Sequence, residues 1–466
     1  MTVLYLDRRA GLGLALALAA GLTLGLIIGF FAGSGGGSSG VASSSRSDRF
    51  LDSQWVAAVL DRVSSKQLRE NLRNLTAAPH IAAGPRDRQL VAWIREKWTK
   101  AGLLVHNSPF KVLLSYPDPS RPNKIFLLDS NGTVRFTSKH QEKVLRPEDA
   151  HDNFIDAFNA FAPAGEVEGE LVYVNYGRVE DLKQLKELGV SINGSIALAR
   201  YGKVFRGNKL ANCEAEGAKG LILFSDPAEV ARLGTDPGSV YPNTFFLPPS
   251  GIQRGSVKLG ARDGDPLSPG WPSVPGAYRP PVQKSVGLPG IPAQPVGYGD
   301  AARLLEVMGG PAAPAEWAGG LNLTYKLGPG WAAGNQNWRV RLMVHNRLED
   351  RDDDNLVGLV RGALEPDRVV VIGNHRDAWG WGAVDPSSGT SPLLEVGRVL
   401  GELQTAGWRP RRSILLASWG SEESGLMGSI EWVEDRLHGL AARQTQPSLH
   451  TWQRVILWAF KTLKAV

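Results

Sequence analysis

The stretch Val369-Val-Val-Ile-Gly-Asn-His-Arg-Asp-Ala-Trp-Gly-Trp-Gly-Ala-Val-Asp-Pro-Ser-Ser-Gly389 decides the fold, together with Ser413-Ile-Leu-Leu-Ala-Ser-Trp-Gly-Ser-Glu-Glu-Ser-Gly-Leu-Met-Gly-Ser429. A helix-like segment separates the two. They hold two apolar β-type runs, Val369–Ile372 and Ile414–Ala417. His375, Asp377 and Asp385 follow the first run, and Glu422 and Glu423 follow the second. Open α/β sheets bind their ligands at the carboxyl ends of the strands. Imidazole and carboxylates gathered there point to part of a hydrolytic zinc site.

Length and composition narrow the options. The 466 residues exceed one ordinary core and suggest two or three domains. The net charge of +6 is small and scattered, so nothing in it argues for nucleic acid. Cys213 is the single cysteine, which excludes an intrachain disulfide framework and a thiolate zinc site. A metal here must use histidine and carboxylates.

Working outward, residues 1–9 read as a cytoplasmic tail and residues 10–33 as a transmembrane anchor. The 24 residues Ala10–Gly33 carry no charge, and Arg8 and Arg9 precede them. That asymmetry puts the N-terminus in the cytosol and the rest on the extracellular or luminal side, a single-pass type II arrangement, with the plasma membrane the expected location. A cleaved signal peptide is the alternative. Residues 34–48 are a Gly/Ser-rich stalk. Four sequons, at Asn74, Asn131, Asn193 and Asn322, agree with a glycosylated ectodomain.

Helical spacing of apolar residues predicts one helix within Phe50–Leu75 and another over Leu90–Ala101, then a strand over Leu103–Val112. These make a first part, residues 49–112, with no sheet of its own. Short strands at Lys124–Leu128, Gly169–Val174, Ser195–Arg200 and Gly220–Phe224 fall within a β-rich insert, residues 113–346, whose Asp236–Gly299 portion is heavy in Pro and Gly. The sheet resumes over residues 347–435. There the acidic run Glu349–Asp354 reads as a solvated loop, lacking an EF-hand's glycine and final glutamate. Asn355–Arg361 and Arg368–Ile372 read as a hairpin, and Pro392–Thr405 as an amphipathic helix. The fold class is α/β, a sheet with helices on both faces, interrupted by the insert and preceded by the transmembrane helix. Residues 436–466 diverge in character. Within them Ser448–Val466 reads as a basic amphipathic helix, either a membrane-surface element or a terminus with no selected role.

Each site residue has a plain alternative. His375 directly follows a strand, which favours a ligand over a surface histidine. Asp377 is placed to orient it. Asp385 reads equally as a metal ligand or as a helix N-cap. Glu422 and Glu423 are either an acidic turn or a pair in which one binds metal and the other moves a proton.

The quoted stretches closely resemble the glutamate carboxypeptidase II family, the N-acetylated α-linked acidic dipeptidase group, which shares its architecture with the transferrin receptor. Upstream, Ala199-Arg-Tyr-Gly-Lys-Val-Phe-Arg-Gly-Asn-Lys209 and Gly264-Asp-Pro-Leu-Ser-Pro-Gly270 resemble that family's protease-associated (apical) domain. The resemblance implies a zinc-aminopeptidase-type sheet and a short-peptide substrate. His375 would bind one zinc, Glu423 the other, and Asp385 both, with Glu422 as general base. It places Arg206, Phe205, Phe246 and Leu426 at the substrate, and calcium on Glu431 and Glu434 with carbonyls near Ser268 and Trp271. Phe246 stands where the glutamate carboxypeptidase has an asparagine, so the likeness runs closest to the aminopeptidase or dipeptidyl-peptidase "like" members. The family is homodimeric and supplies a further aspartate and a final histidine downstream. Neither they nor the dimerisation domain have an equivalent here, and His438 and His450 sit in no strand-end context. A catalytic zinc ordinarily takes three protein ligands. The expectation is therefore a C-terminally truncated chain of a membrane-anchored di-zinc metallopeptidase with an incomplete site: an aminopeptidase or dipeptidase, an inactive variant of one, or a receptor or binding protein on the same scaffold.

Overall fold

The computed structural model describes residues 53–259 and 264–444. The anchor at residues 10–33 and most of the divergent tail lie outside them. Among the described residues, no helix is long and apolar enough to cross a membrane.

Four strands form the sheet that carries the motif: β1 (Leu104–Tyr116), β2 (Arg347–Val360), β3 (Glu365–His375) and β4 (Arg412–Trp419), in the order β1-β2-β4-β3. β1 and β2 pair antiparallel without a break, from Leu104 opposite Leu359 to Tyr116 opposite Arg347. β2 pairs antiparallel with β4, and β4 parallel with β3. The expected hairpin between β2 and β3 is therefore corrected, because β4 runs between them. Adjacency in sequence suggested it, but the helix α3 (Ser387–Thr405) returns the chain into the gap.

Helices cover both faces. On one, Leu90, Val91, Ile94 and Trp98 of helix α2 (Pro85–Lys100) and Leu393, Leu394 and Leu400 of α3 pack on Leu356, Val360 and Leu416. Close approach is bought with glycine: a Cβ on Gly358 would lie 3.0 Å from the Trp98 ring, and one on Gly401 only 2.0 Å from the Ala101 carbonyl oxygen. On the other face, helix α4 (Met427–Gln444) starts where the Asn355 side chain donates to the Gly428 carbonyl at 2.7 Å.

Three local expectations change. The opening segment forms two helices, Ser53–Arg62 and Ser65–Leu75, broken at Val63–Ser64, where the Ser64 hydroxyl caps the second. α3 begins at Ser387, five residues before the expected start, with Pro392 inside it. The acidic run is not a loop. Glu349–Asp354 lies within β2, and Asp353 is buried. A run of acids suggested solvent, but the one buried member, Asp353, is paired with Arg376 from a neighbouring element.

The strands from residues 124–344 build other sheets. Leu171–Tyr173, Ile196–Arg200, Gly220–Phe224 and Ala293–Val296 are parallel neighbours, and Val134–Thr137, Lys124–Leu128, Arg339–Val344 and Gly165–Gly169 are antiparallel ones. Ile196, Leu221, Ile222, Leu342 and Val340 share one core there. Lys124–Leu128 and Gly220–Phe224 match the expected strands residue for residue.

Candidate functional site

The apolar runs of β3 and β4 are parallel, so both release their polar residues at the same edge. His375 ends β3 opposite Trp419. Asp377, fully buried, turns its carboxylate toward the other strand's loop and accepts the backbone N–H groups of Glu422 (2.9 Å) and Glu423 (3.1 Å). One side chain thus locks the two motif halves together. The loop Ser421–Leu426 is tightly shaped, with Ser421 and Leu426 in the left-handed region at φ 53° and 60°.

His375 is held from two sides. Its Nδ1 lies 3.1 Å from the Asp377 carbonyl oxygen and 3.7 Å from the Asp377 carboxylate. Its Nε2 lies 2.9 Å from Asp385 Oδ1 and 3.7 Å from Glu422 Oε2. The expected orienting role of Asp377 is met chiefly by its backbone carbonyl. Asp385 does not cap α3: the N-cap position is Pro386, with no side-chain cap bond. The Asn374 side chain fastens that corner, donating to the Pro386 carbonyl at 3.0 Å and to Thr390 Oγ1 at 2.8 Å.

The charges press on one another. Burial disfavours the His375 imidazolium, but Asp377, Asp385 and Glu422 outweigh it and raise its pKa to about 11. Burial also pushes the Glu423 carboxyl up to about 8, aided by Asp377, Asp385 and Glu422, and it raises that of Glu422. Asp377 stays below the usual carboxylate range, because His375 and the two N–H groups overcome its burial. Asp385 is lowered by its bond to His375. Four carboxylates around one imidazole form a donor set of the type that zinc takes, and a divalent cation would offset their mutual repulsion. In donor chemistry the residues fit the metal. In position they fit in part, since among the described residues no group of three or more His, Cys, Asp or Glu converges as a metal cage.

The other expected residues separate into two sets. Arg206 starts the helix Arg206–Ala215, lies against the Phe205 ring and donates to the Ser256 carbonyl at 3.4 Å. Its charge favours ionised Asp385 and Glu422, so it belongs to the site's field. Leu426 closes the Glu422 turn, its N–H donating to the Glu422 carbonyl at 2.8 Å. Phe246 instead packs at the margin of the core built by the parallel sheet, stacked near Phe245 with ring centres 4.5 Å apart.

Glu431 is buried, not on an exposed helix face. Its carboxylate accepts N–H groups from Asp265 (3.2 Å) and Ser273 (2.5 Å), and burial raises it to about 8. Glu434 adds to that shift by charge. Asp265 beside them is paired with Arg279 at 2.7 Å. The loop expected to carry calcium thus does meet Glu431, with an arginine already present. The four sequon asparagines, Asn74, Asn131, Asn193 and Asn322, are all exposed.

Sequence reading missed the support beneath the site. Arg376, between His375 and Asp377, is fully buried and pairs with Asp87 (2.8 Å) and Asp353 (2.9 Å). Ser421 Oγ donates to Asp353 at 2.6 Å. His80 is buried alongside, its N–H donating to the Gly380 carbonyl and its carbonyl accepting from Ala378. The arginine inside an otherwise acidic motif was the available signal for this triad.

Two family models match: Peptidase family M28 over residues 355–446 and PA domain over residues 167–259. Aminopeptidase NAALADL1 of Mus musculus is 43% identical over 411 residues, 86% of this chain and 54% of that protein. A glutamate carboxypeptidase 2 homolog of Caenorhabditis briggsae is 41% identical over 83% of this chain and 50% of its own length. The chain spans about half the length of the curated relatives it matches. The Peptidase M28 precursor of Shewanella amazonensis SB2B has a similar fold, with a TM-score of 0.50 at 18% identity over 85% of this chain and 73% of that one.

Proposed function

We propose that this chain, which belongs with the glutamate carboxypeptidase 2 and NAALADL1 aminopeptidase homologues just described, is a zinc metallopeptidase acting on short peptides. The observation that carries the reading is the convergence at the β3/β4 edge. Asp377 binds the N–H groups of both Glu422 and Glu423 while His375 meets Asp385. His375, Asp385 and Glu423 would hold metal. Bound there, zinc supplies Lewis acidity and makes water more acidic.

The chain's own residues then divide the work. Glu422, raised by burial, takes a proton from the attacking water and returns it to the leaving amine. Asp377 keeps Glu422 and Glu423 in place through their backbone. Arg206 draws a substrate carboxylate toward the site, with Phe205 and Leu426 shaping its surroundings. By the resemblance Phe246 stands where the glutamate carboxypeptidase has an asparagine, which favours aminopeptidase or dipeptidase specificity; here its ring packs against the parallel-sheet core and offers no donor to a carboxylate. The protease-associated domain lies within residues 117–346, between peptidase parts 49–116 and 347–435; the boundary moves from the expected 112/113 because the first sheet's β1 runs on to Tyr116. A type II anchor at residues 10–33, glycans on the exposed sequons and calcium at Glu431 and Glu434 complete the proposal.

A second reading, a non-catalytic protein on the same scaffold, is favoured by one observation: the described residues do not close a three-ligand centre. Zinc content by elemental analysis decides between them, measured beside Glu423→Ala and with peptide cleavage. About one or two zinc ions per chain, lost in the variant and accompanied by cleavage, support the peptidase. Zinc at trace level in both would overturn it.

A further inference from the structure

Asp385 stands near the end of an irregular loop, residues 376–386, with its side chain 73% exposed. A ligand on such a loop is placed only as well as the loop itself is held. Two segments distant in sequence hold it. The first precedes α2, where buried His80 exchanges backbone bonds with the loop. Its N–H donates to the Gly380 carbonyl at 3.2 Å, and its carbonyl accepts from Ala378 at 3.0 Å. The His80 ring is fixed through Nδ1, which donates to the Ala78 carbonyl at 2.9 Å, while its buried Nε2 has no hydrogen-bond partner. That ring edge abuts Gly382, where a Cβ would lie 2.9 Å from Nε2 and 3.0 Å from the Asp385 carbonyl oxygen.

The second segment belongs to the insert. Trp379 meets buried Phe158 edge-on with ring centres 5.4 Å apart, and Trp381 meets Phe154 at 4.7 Å. A Cβ on Gly380 would lie 3.2 Å from the Phe154 ring. The loop thus alternates: Trp379 and Trp381 reach the insert, while Gly380 and Gly382 leave room for Phe154 and His80. Phe154 is itself backed by Arg254, whose guanidinium lies 4.3 Å from its ring centre. Arg254 is buried, bonded through both Nη atoms to the Glu142 carboxylate (2.6 and 2.9 Å) and to the Ile155 carbonyl at 2.7 Å. Stacks of this kind fix orientation as well as separation.

We infer that Phe154 of the insert is a positioning residue for Asp385: the stack Arg254–Phe154–Trp381, together with the His80 bridge, holds the loop so that Asp385 meets His375 at 2.9 Å. Phe154 acts through the loop and touches neither Asp385 nor His375 in this role. The insert then helps to set the geometry of the candidate metal centre, besides carrying Arg206. The inference rests on the metallopeptidase reading only where its test uses zinc.

Phe154→Ala and Phe154→Tyr in the full chain test it, since Phe154 is only half-buried and its truncation leaves the buried cores intact. Without added metal, amide exchange over residues 378–385 is expected to be about tenfold faster in Phe154→Ala, with residues 413–417 of β4 unchanged. Zinc affinity, read by competition with a chelating dye, is expected to fall about tenfold in Phe154→Ala. Phe154→Tyr keeps the ring and is expected to restore both readouts. Unchanged exchange over residues 378–385 overturns the inference. Exchange that rises equally in β4 overturns it in favour of general destabilisation. Faster exchange in the loop with zinc affinity unchanged overturns the role at Asp385. A wild-type chain that takes up no zinc counts against the metallopeptidase reading instead, and the exchange comparison alone then decides whether Phe154 holds the loop.

Discussion

Arg376 and Asp353 form an ion pair with no solvent contact, Nη2 to Oδ1 2.9 Å, between the end of β3 and the middle of β2. Asp87 of α2 completes it from the other side at 2.8 Å. Burial pushes both carboxyls up, Asp87 well above its usual value, while the guanidinium opposes that shift in each. Removing the cation would strand two buried carboxylates. Arg376→Ala is expected to cost about 3–5 kcal/mol, read as a lower urea midpoint. The double change Asp87→Asn with Asp353→Asn should cost less than the sum of the single changes, because the three groups share one network.

Asp377→Asn tests the clasp across the motif. The amide keeps one acceptor oxygen but sets an NH2 group against the second N–H of the Glu422–Glu423 turn. Zinc affinity is expected to fall roughly 10–100-fold, measured by competition with a chelating dye. The thermal midpoint should move less than in Arg376→Ala, since the ion triad beneath is untouched.

Gly401→Ala addresses the contact between α2 and α3. Its added methyl would meet a backbone carbonyl, that of Ala101, which cannot rotate away. Overpacking of this kind is expected to cost about 1–3 kcal/mol, despite alanine's better helix propensity. Denaturant unfolding of the variant checks it, with far-UV dichroism expected to stay unchanged before the transition.

Lys209 gives a pH signature. Burial lowers its ammonium to about 8, while its Nζ donates to the carbonyls of Tyr176 and Gly202 at 2.6 Å each. An unfolded lysine titrates near 10.4. Between about 8 and 10.4 the unfolded chain therefore holds more protons than the folded one. Unfolding free energy from this group should rise with pH across that window and be level below it. Lys209→Met should flatten the rise when stability is compared at pH 7.5, 9 and 10.

The sequence disclosed the chemistry of the site better than its mechanics. His375, Asp385, Glu422 and Glu423 were visible because they follow apolar β-runs, and parallel pairing of those runs brings their ends to one edge. The strands Lys124–Leu128 and Gly220–Phe224 were visible for the same reason, as short apolar runs between turn signals. Strand order was not visible: local pattern favours a hairpin between β2 and β3, and only the packing of α3 carries β4 between them. Asp353 was misjudged because a run of acids predicts solvent, whereas its partner Arg376 is distant in sequence. Asp87 was hidden for the same reason, as an ordinary first-turn acid of a helix.

The pairing of Tyr116 with Arg347 closes the long excursion that residues 117–346 make away from the first sheet. The two ends of that excursion lie one strand spacing apart, the separation that a tight turn spans. To β1 and β2 the excursion is, in backbone terms, an oversized hairpin loop, and its length adds to closure entropy only logarithmically. The excursion nevertheless folds back on the strands it leaves: Phe158, Ala160 and Phe161 share a core with Phe110, Val112 and Leu114, and the Leu113 N–H donates to Asp265 at 3.0 Å. Its interior can change without shifting the register of the ladder, but those returning contacts must stay, whereas a one-residue slip in that ladder would turn Leu359 toward the wrong face.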